Sequence, residues 1–301
     1  MLDLPDHASL LGLADLRPKL PVERTMPPVE DAVALGLATL KAYAFASVDY
    51  PGAAWSFVGD TNETTTVGYF MLDPTGEFRA TAFTFAGGVY RTIAVPNATS
   101  SFAMGINASG SIVGTYEDAA GKKHGYTKTG ATFANINVPN GVETQAVGIN
   151  DAGKVVGGYV DASGHMHGFL FSGGTYTTID FPGAGSTFAS GINTGGDIVG
   201  AYTDAGGNPH SFVRRAAAST RVEFPLAAYT VAWGINDAGD ISGYYFNADN
   251  VNHGFLLADG AFATVDVAGA RGTQLTRVKK DGQVTGVCFD ALHGVHGLVG
   301  R

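Results

Sequence analysis

The chain has 301 residues, 45% hydrophobic and 15% charged, with a formal net charge of −9. The acidic balance excludes the clustered Lys and Arg footprint of a nucleic-acid binder, and the pairs Arg214-Arg215 and Lys279-Lys280 are too short to form a stripe. A single cysteine, Cys288, excludes an intrachain disulfide framework and a multi-cysteine metal site, and no run of 18 apolar residues marks a membrane span.

Gly accounts for 43 of the 301 residues, about twice the usual share and without a triplet period, so many tight turns are expected. Residues 1–43 stand apart as an N-terminal extension. Pro5, Pro18, Pro21, Pro27 and Pro28 predict extended chain there, and no basic region followed by an apolar stretch marks a signal peptide. Val29 to Lys41 predicts a short capping helix, with Pro28 at its start, acids in its first turn and Lys41 in its last.

From Ala44 the chain is repetitive. Gly-Ile-Asn begins at Gly105, Gly148, Gly191 and Gly234, always 43 residues apart, a period typical of one supersecondary unit per repeat. In the unit near Thr144, strands are predicted over Ala146–Asn150, Lys154–Val160, His167–Phe171 and Tyr176–Phe181. The turns Asp151-Ala-Gly153, Asp161-Ala-Ser-Gly164 and Ser172-Gly-Gly174 lie between them. Four antiparallel strands in about 43 residues make a propeller blade. The second-strand motif recurs at Val67-Gly68, Val113-Gly114, Val156-Gly157, Val199-Gly200, Ser242-Gly243 and Thr285-Gly286. The last unit stops after its third strand, and Ala44–Tyr50 matches the missing fourth. Residues 44–301 are therefore expected to form an all-β, six-bladed propeller of four-stranded antiparallel blades, closed by the N-terminal strand.

A third-strand motif recurs as His124-Gly125-Tyr126, His167-Gly168-Phe169, His210-Ser211-Phe212, His253-Gly254-Phe255 and His296-Gly297-Leu298. With Gly-Ile-Asn and the Val-Gly strand, it resembles the bacterial extracellular repeats named for a His-Ala-Phe (HAF) motif. The first full unit departs from that pattern, with Thr81-Ala82-Phe83 and Asp60-Thr61-Asn62 at the motif positions. The resemblance implies a propeller and an exported protein, secreted or periplasmic; it implies no chemistry.

A residue repeated in nearly every unit is more economically a structural device, so His124, His167, His210, His253 and His296 are read as scaffold, bonding a backbone group between blades. Asp161, His165 and His167, and likewise Asp290, His293 and His296, have ligand types suited to zinc. Asp161 also serves an Asp-x-x-Gly turn, and no metal is expected. Asn107, Asn150, Asn193 and Asn236 suit turns. No nucleophile elbow, phosphate loop or His-Glu-x-x-His motif is present, and no cofactor is expected.

Departures from the repeat are the better guides to a site. Trp233 precedes one Gly-Ile-Asn, Tyr229 and Trp55 lie at the entries to inner strands, and Arg277 and Lys279 replace the Gly and Asn of the last triplet. These five are the candidate ligand-binding residues, and His293, His165 and Arg271 the candidate catalytic ones. Trp55, Tyr229, Trp233, Arg271, His165 and His293 are expected to gather on the face carrying the entries and the second-to-third hairpins. Aromatics beside cations at a concave opening suit a glycan or small organic molecule as partner, bound by a monomer. The alternative is a hydrolase or lyase with one asymmetric site, a His as general base and Arg or Lys as anion stabiliser.

Overall fold

A computed structural model describes residues 43–73 and 79–301. The helix expected over 29–41 lies outside the described residues. The chain opens with β1 (Phe45–Ser47), followed by β2 (Trp55–Thr61), β3 (Thr66–Met71), β4 (Thr81–Ala86) and β5 (Val89–Thr92). Four regular units come next. They are β6 (Ser100–Ile106), β7 (Ile112–Glu117), β8 (Lys123–Thr129) and β9 (Thr132–Ile136); then β10 (Glu143–Ile149), β11 (Val155–Val160), β12 (Met166–Ser172) and β13 (Thr175–Ile179). They continue with β14 (Ser186–Ile192), β15 (Ile198–Thr203), β16 (Pro209–Arg215) and β17 (Ala218–Val222); then β18 (Tyr229–Ile235), β19 (Ile241–Phe246), β20 (Asn252–Ala258) and β21 (Ala261–Val265). The chain closes with β22 (Gly272–Val278), β23 (Val284–Phe289) and β24 (Val295–Gly300).

Each of the four regular units is a four-stranded antiparallel meander. The expectation of six separate four-stranded blades is corrected: four such sheets stand alone, and the remaining strands form one eight-stranded sheet in the order β22-β23-β24-β2-β3-β4-β5, with β1 also on β24. The reason lies at the edge of β24. β1 is only three residues long and covers Leu298 to Gly300. The rest of that edge meets β2, whose Trp55 forms a parallel bridge with Val295. The first and last units thus run together at a seam.

The inner strands β2, β6, β10, β14, β18 and β22 contact one another in sequence, and β22 contacts β2, so the sheets close a ring. Apolar residues of these strands fill the middle: Phe57, Met104, Val147, Phe188 and Trp233 belong to one buried cluster. Smaller clusters lie between neighbouring units, as where Val156 and Ile179 pack with Ala189 and Phe212.

The repeat motifs have direct steric causes. The glycine of each second-strand motif crosses under an inner-strand carbonyl. A Cβ on Gly114, Gly157, Gly200 or Gly243 would strike the carbonyl oxygen of Phe102, Gln145, Phe188 or Val231 respectively. The space over each glycine is taken by the aromatic of the next strand, paired directly across from it: Tyr126 with Gly114, Phe169 with Gly157, Phe212 with Gly200, and Phe255 with Gly243. Glycine and ring are one packing unit, a small residue on one strand covered by a large one on its neighbour.

Candidate functional site

Each inner strand carries a bulge just before the triplet, where its register with the second strand slips: between Ala103 and Gly105, Ala146 and Gly148, Ala189 and Gly191, and Ala232 and Gly234. A bulge turns a residue out of the ladder and re-aims its carbonyl. The triplet glycine follows the bulge and must be small, because a Cβ on Gly148 would lie 3.1 Å from the Ser190 carbonyl oxygen, and one on Gly191 would lie 2.7 Å from that of Trp233.

The triplet asparagines build a girdle. Each side-chain amide donates to the main-chain carbonyl of the matching residue one unit on: Asn107 to Asn150 at 3.2 Å, Asn150 to Asn193 at 2.8 Å, Asn193 to Asn236 at 3.1 Å and Asn236 to Lys279 at 3.2 Å. Asn62 opens the series by donating to Asn107 at 3.1 Å. The side-chain oxygens meanwhile accept from the turn, as Asn150 Oδ1 does from Lys154 N at 2.9 Å. One side chain serves both its hairpin and the next unit.

Inside this girdle, at the hairpin end of the inner strands, lies a cavity of about 650 Å³. Its lining includes Asp60, Arg277 and Lys279, the residues that stand in triplet positions of the seam units. Arg277 is fully engaged: Nη1 donates to the carbonyls of Trp233 and Thr276, both at 2.9 Å, and Nη2 to those of Val147 at 2.8 Å and Ser190 at 3.2 Å. These are bulge carbonyls of four different units, so the guanidinium spans the axis and floors the cavity. Burial pulls its pKa below the usual guanidinium value, with Asp60 opposing that shift. Asp60 faces Arg277 Nε at 3.9 Å and Lys279 Nζ at 2.5 Å, and accepts from the backbone amides of Thr61 and Ile106. Lys279 keeps 29% of its side chain exposed and is the reachable charge of the three.

The other predicted residues are distributed differently. Trp233, 2% exposed, and Tyr229, 8% exposed, belong to the central apolar cluster, Tyr229 stacked on Phe246 at 4.4 Å. Neither gathers at a surface opening, which corrects the expectation for both: Tyr229 opens β18 instead of lying on a connection, and Trp233, on the strand as its place before Gly-Ile-Asn implies, is buried because this inner strand is covered along its whole length. Trp55, Arg271 and His293 do come together: the Trp55 indole Nε1 donates to the His293 carbonyl at 3.1 Å, and Arg271 Nη1 donates to His293 Nδ1 at 3.2 Å. His165 is not with them; its Nδ1 lies 3.9 Å from Asp161 in another unit. Arg277 and Lys279 sit at the opposite end of the inner strands.

The five repeated histidines are held by side chains, not by a backbone group between blades; the partners come from the same repeat except Asp49, which reaches His296 from beyond β1. His167 Nδ1 meets Asp180 at 2.9 Å and its Nε2 lies 3.5 Å from Asp161, while its ring stacks on Tyr159 at 5.2 Å. His210 lies between Glu223 and Asp204, and His124 between Asn137 and Asp118. His253 lies between Asp266 and Asn247, and His296 between Asp49 and Asp290. Among the described residues no group of three His, Cys, Asp or Glu side chains is placed to hold a metal ion. Cys288 is buried, which pushes its thiol up to about 11. Among the described residues no helix is long and apolar enough to cross a membrane.

No protein-family model matches the chain, and no curated protein matches it. The resemblance to HAF repeats therefore rests on the motifs alone. Solved structures do match. AofleA from Arthrobotrys oligospora is 12% identical with a TM-score of 0.54, over 87% of each chain. TolB from Acinetobacter baumannii is 11% identical with a TM-score of 0.57, over 79% of this chain and 64% of that one. A point mutant of Aleuria aurantia lectin, solved with α-methyl-L-fucoside, is 10% identical with a TM-score of 0.50, over 84% of this chain and 93% of that one. At such identities the likeness is one of fold, and the fold of this chain is a β-propeller.

Proposed function

We propose that this chain is a lectin-like propeller that binds a glycan or small polyhydroxylated molecule outside the cytoplasm. The observation that carries the reading is the cavity of about 650 Å³ at the hairpin end of the channel, floored by Asp60, Arg277 and Lys279. Its volume suits one or two sugar rings. Its lining offers what hydroxyl groups need: an acceptor at Asp151, a partly exposed donor at Lys279 oriented by Asp60, and girdle asparagines around the rim. The charges sit in a breach of the repeat, since four units keep glycine where Asp60 and Arg277 stand. A structure-only ring would retain the small residue. The fucoside-bound lectin among the structural neighbours lends support from the same fold.

The reading is tested by titrating the full chain against a panel of neutral mono- and disaccharides by calorimetry or ligand-observed NMR. Saturable binding of at least one sugar, weakened tenfold or more by Lys279→Ala, is the expected result. Absence of binding across the panel, or binding indifferent to Lys279→Ala, overturns it.

A further inference from the structure

At the other end of the inner strands, three residues that break the repeat meet on the surface. Trp55 opens β2, where the regular inner strands open with Ser100, Glu143, Ser186 and Tyr229. Arg271 donates its backbone N–H to the Phe289 carbonyl, the place held by Thr99, Val142, Gly185 and Ala228 in the regular units. His293 occupies the turn position of Gly121, Gly164, Gly207 and Asn250, and adopts a φ of 67° there. That left-handed conformation suits glycine, so a histidine in it is strained backbone held by its surroundings. What holds it is the pair already described: the Trp55 indole on its carbonyl and the Arg271 guanidinium on its Nδ1. Since a guanidinium only donates, Nδ1 accepts, and the imidazole proton is on Nε2.

Arg271 faces no carboxylate among the described residues, whereas Arg215, Arg221 and Arg277 lie near Asp197, Glu223 and Asp60. Asp290, in the same turn as His293, is spent elsewhere. Its Oδ1 accepts from Leu292 N and Gly294 N, and its Oδ2 pairs with His296. Leu292, in the same turn, is 88% exposed, while Trp55 is half-buried and packs against the central apolar cluster.

We propose that Trp55, Arg271 and His293 form a second binding site, for a pyranose bearing a carboxylate. The guanidinium takes the carboxylate, the fork geometry for which arginine is suited. The exposed part of the indole takes the apolar face of the ring. His293 Nε2–H donates to a ring hydroxyl. This site stands independently of the cavity at the opposite end.

The chain contains two tryptophans, and Trp233 is buried, so fluorescence quenching at the surface reports on Trp55. The full chain is titrated with methyl β-D-glucuronide and, separately, methyl β-D-glucoside. Saturable change with the glucuronide, at least tenfold weaker with the glucoside, is expected. Arg271→Ala is expected to weaken glucuronide binding tenfold or more while the chain still unfolds cooperatively, and Lys279→Ala to leave glucuronide binding unchanged. Equal response to both sugars, no saturable response, or a loss that follows Lys279 instead of Arg271 overturns the proposal.

Discussion

Arg277 shows how one residue can change what a repeat does. In four units the position after the bulge is glycine, which brings no side chain of its own to the bulge carbonyls. At Arg277 a guanidinium enters that ring, bonds four carbonyls and reaches Asp60. Its desolvation is offset only because its donors are nearly all used; a lysine could not span the same carbonyls. Replacing it with methionine leaves Asp60 buried against Lys279 alone and strips the carbonyls of their donor. Arg277→Met is therefore expected to destabilise the fold by about 3–5 kcal/mol, the cost of breaking a buried charge pair. Chemical denaturation reads this directly, and an unchanged midpoint would show that the axis is held by packing alone. Arg277→Met with Asp60→Asn should recover part of the loss, because the buried carboxylate, left with one cation in place of two, goes with it.

At the scale of the strand, the second-strand glycine and the large side chain paired across from it pack as one unit. Gly157 has no room for a Cβ against the Gln145 carbonyl, and Phe169 Cε1 would lie 2.9 Å from that Cβ. Gly157→Ala must push β10 and β11 apart or displace the ring, an overpacking cost of about 1–3 kcal/mol or more. The melting temperature of the variant should fall, and a wild-type value would mean that the strands have slack that the packing does not show. This level was legible in the sequence, because turn glycines and alternating strands are local signals and the 43-residue period aligns them. The bulge was not. A one-residue slip leaves no mark in composition, so Trp233 at the bulge and Tyr229 at the strand start read as surface departures, whereas both are core. Arg277 and Lys279 were visible as breaks in the triplet, but the cavity they enter is shaped by hairpins of other units, which spacing along one chain cannot bring together.

For the molecule as a whole, the sequence carried the repeat but not the way its ends meet. The seam depends on how far β1 covers β24, three residues out of six, and on the Trp55–Val295 bridge that follows; such partial pairing is set by tertiary geometry. The same seam is tied by His296, held between Asp49 beyond β1 and Asp290 in the preceding hairpin, while Asp49 Oδ1 also accepts from Gly297 N. Partial burial works against protonation of His296, but its bonds to Asp49 and Asp290 outweigh that and raise its pKa above the ordinary 6.5; Asp180 and Asp161 do the same for His167. The acids move the other way. Backbone amides and the histidines hold Asp161 and Asp290 below the ordinary 3.8, His124 does so for Asp118, and Asn208 leads for Asp204. A raised imidazole stabilises the fold fully below its unfolded pKa of 6.5, and that stabilisation is lost as pH climbs through the folded value. A depressed carboxylate stabilises above 3.8, and its contribution is lost as pH falls through the lower folded value. The clamps therefore act together between about pH 4 and about pH 6.5, and weaken on either side. A melting-temperature profile across pH should show a mildly acidic plateau with an alkaline decline, and His167→Gln with His296→Gln should flatten that decline while sparing much of the acid limb. Because His296 acts on the edge where the ring's two ends meet, loosening it frees β1 first. Hydrogen exchange at Ala44 and Val48, whose amides donate to Arg301 and Gly297 across that edge, should accelerate above neutrality before exchange in β10 or β14 does. Exchange that rises uniformly through all the sheets would place the pH sensitivity in the ring as a whole and not at its seam.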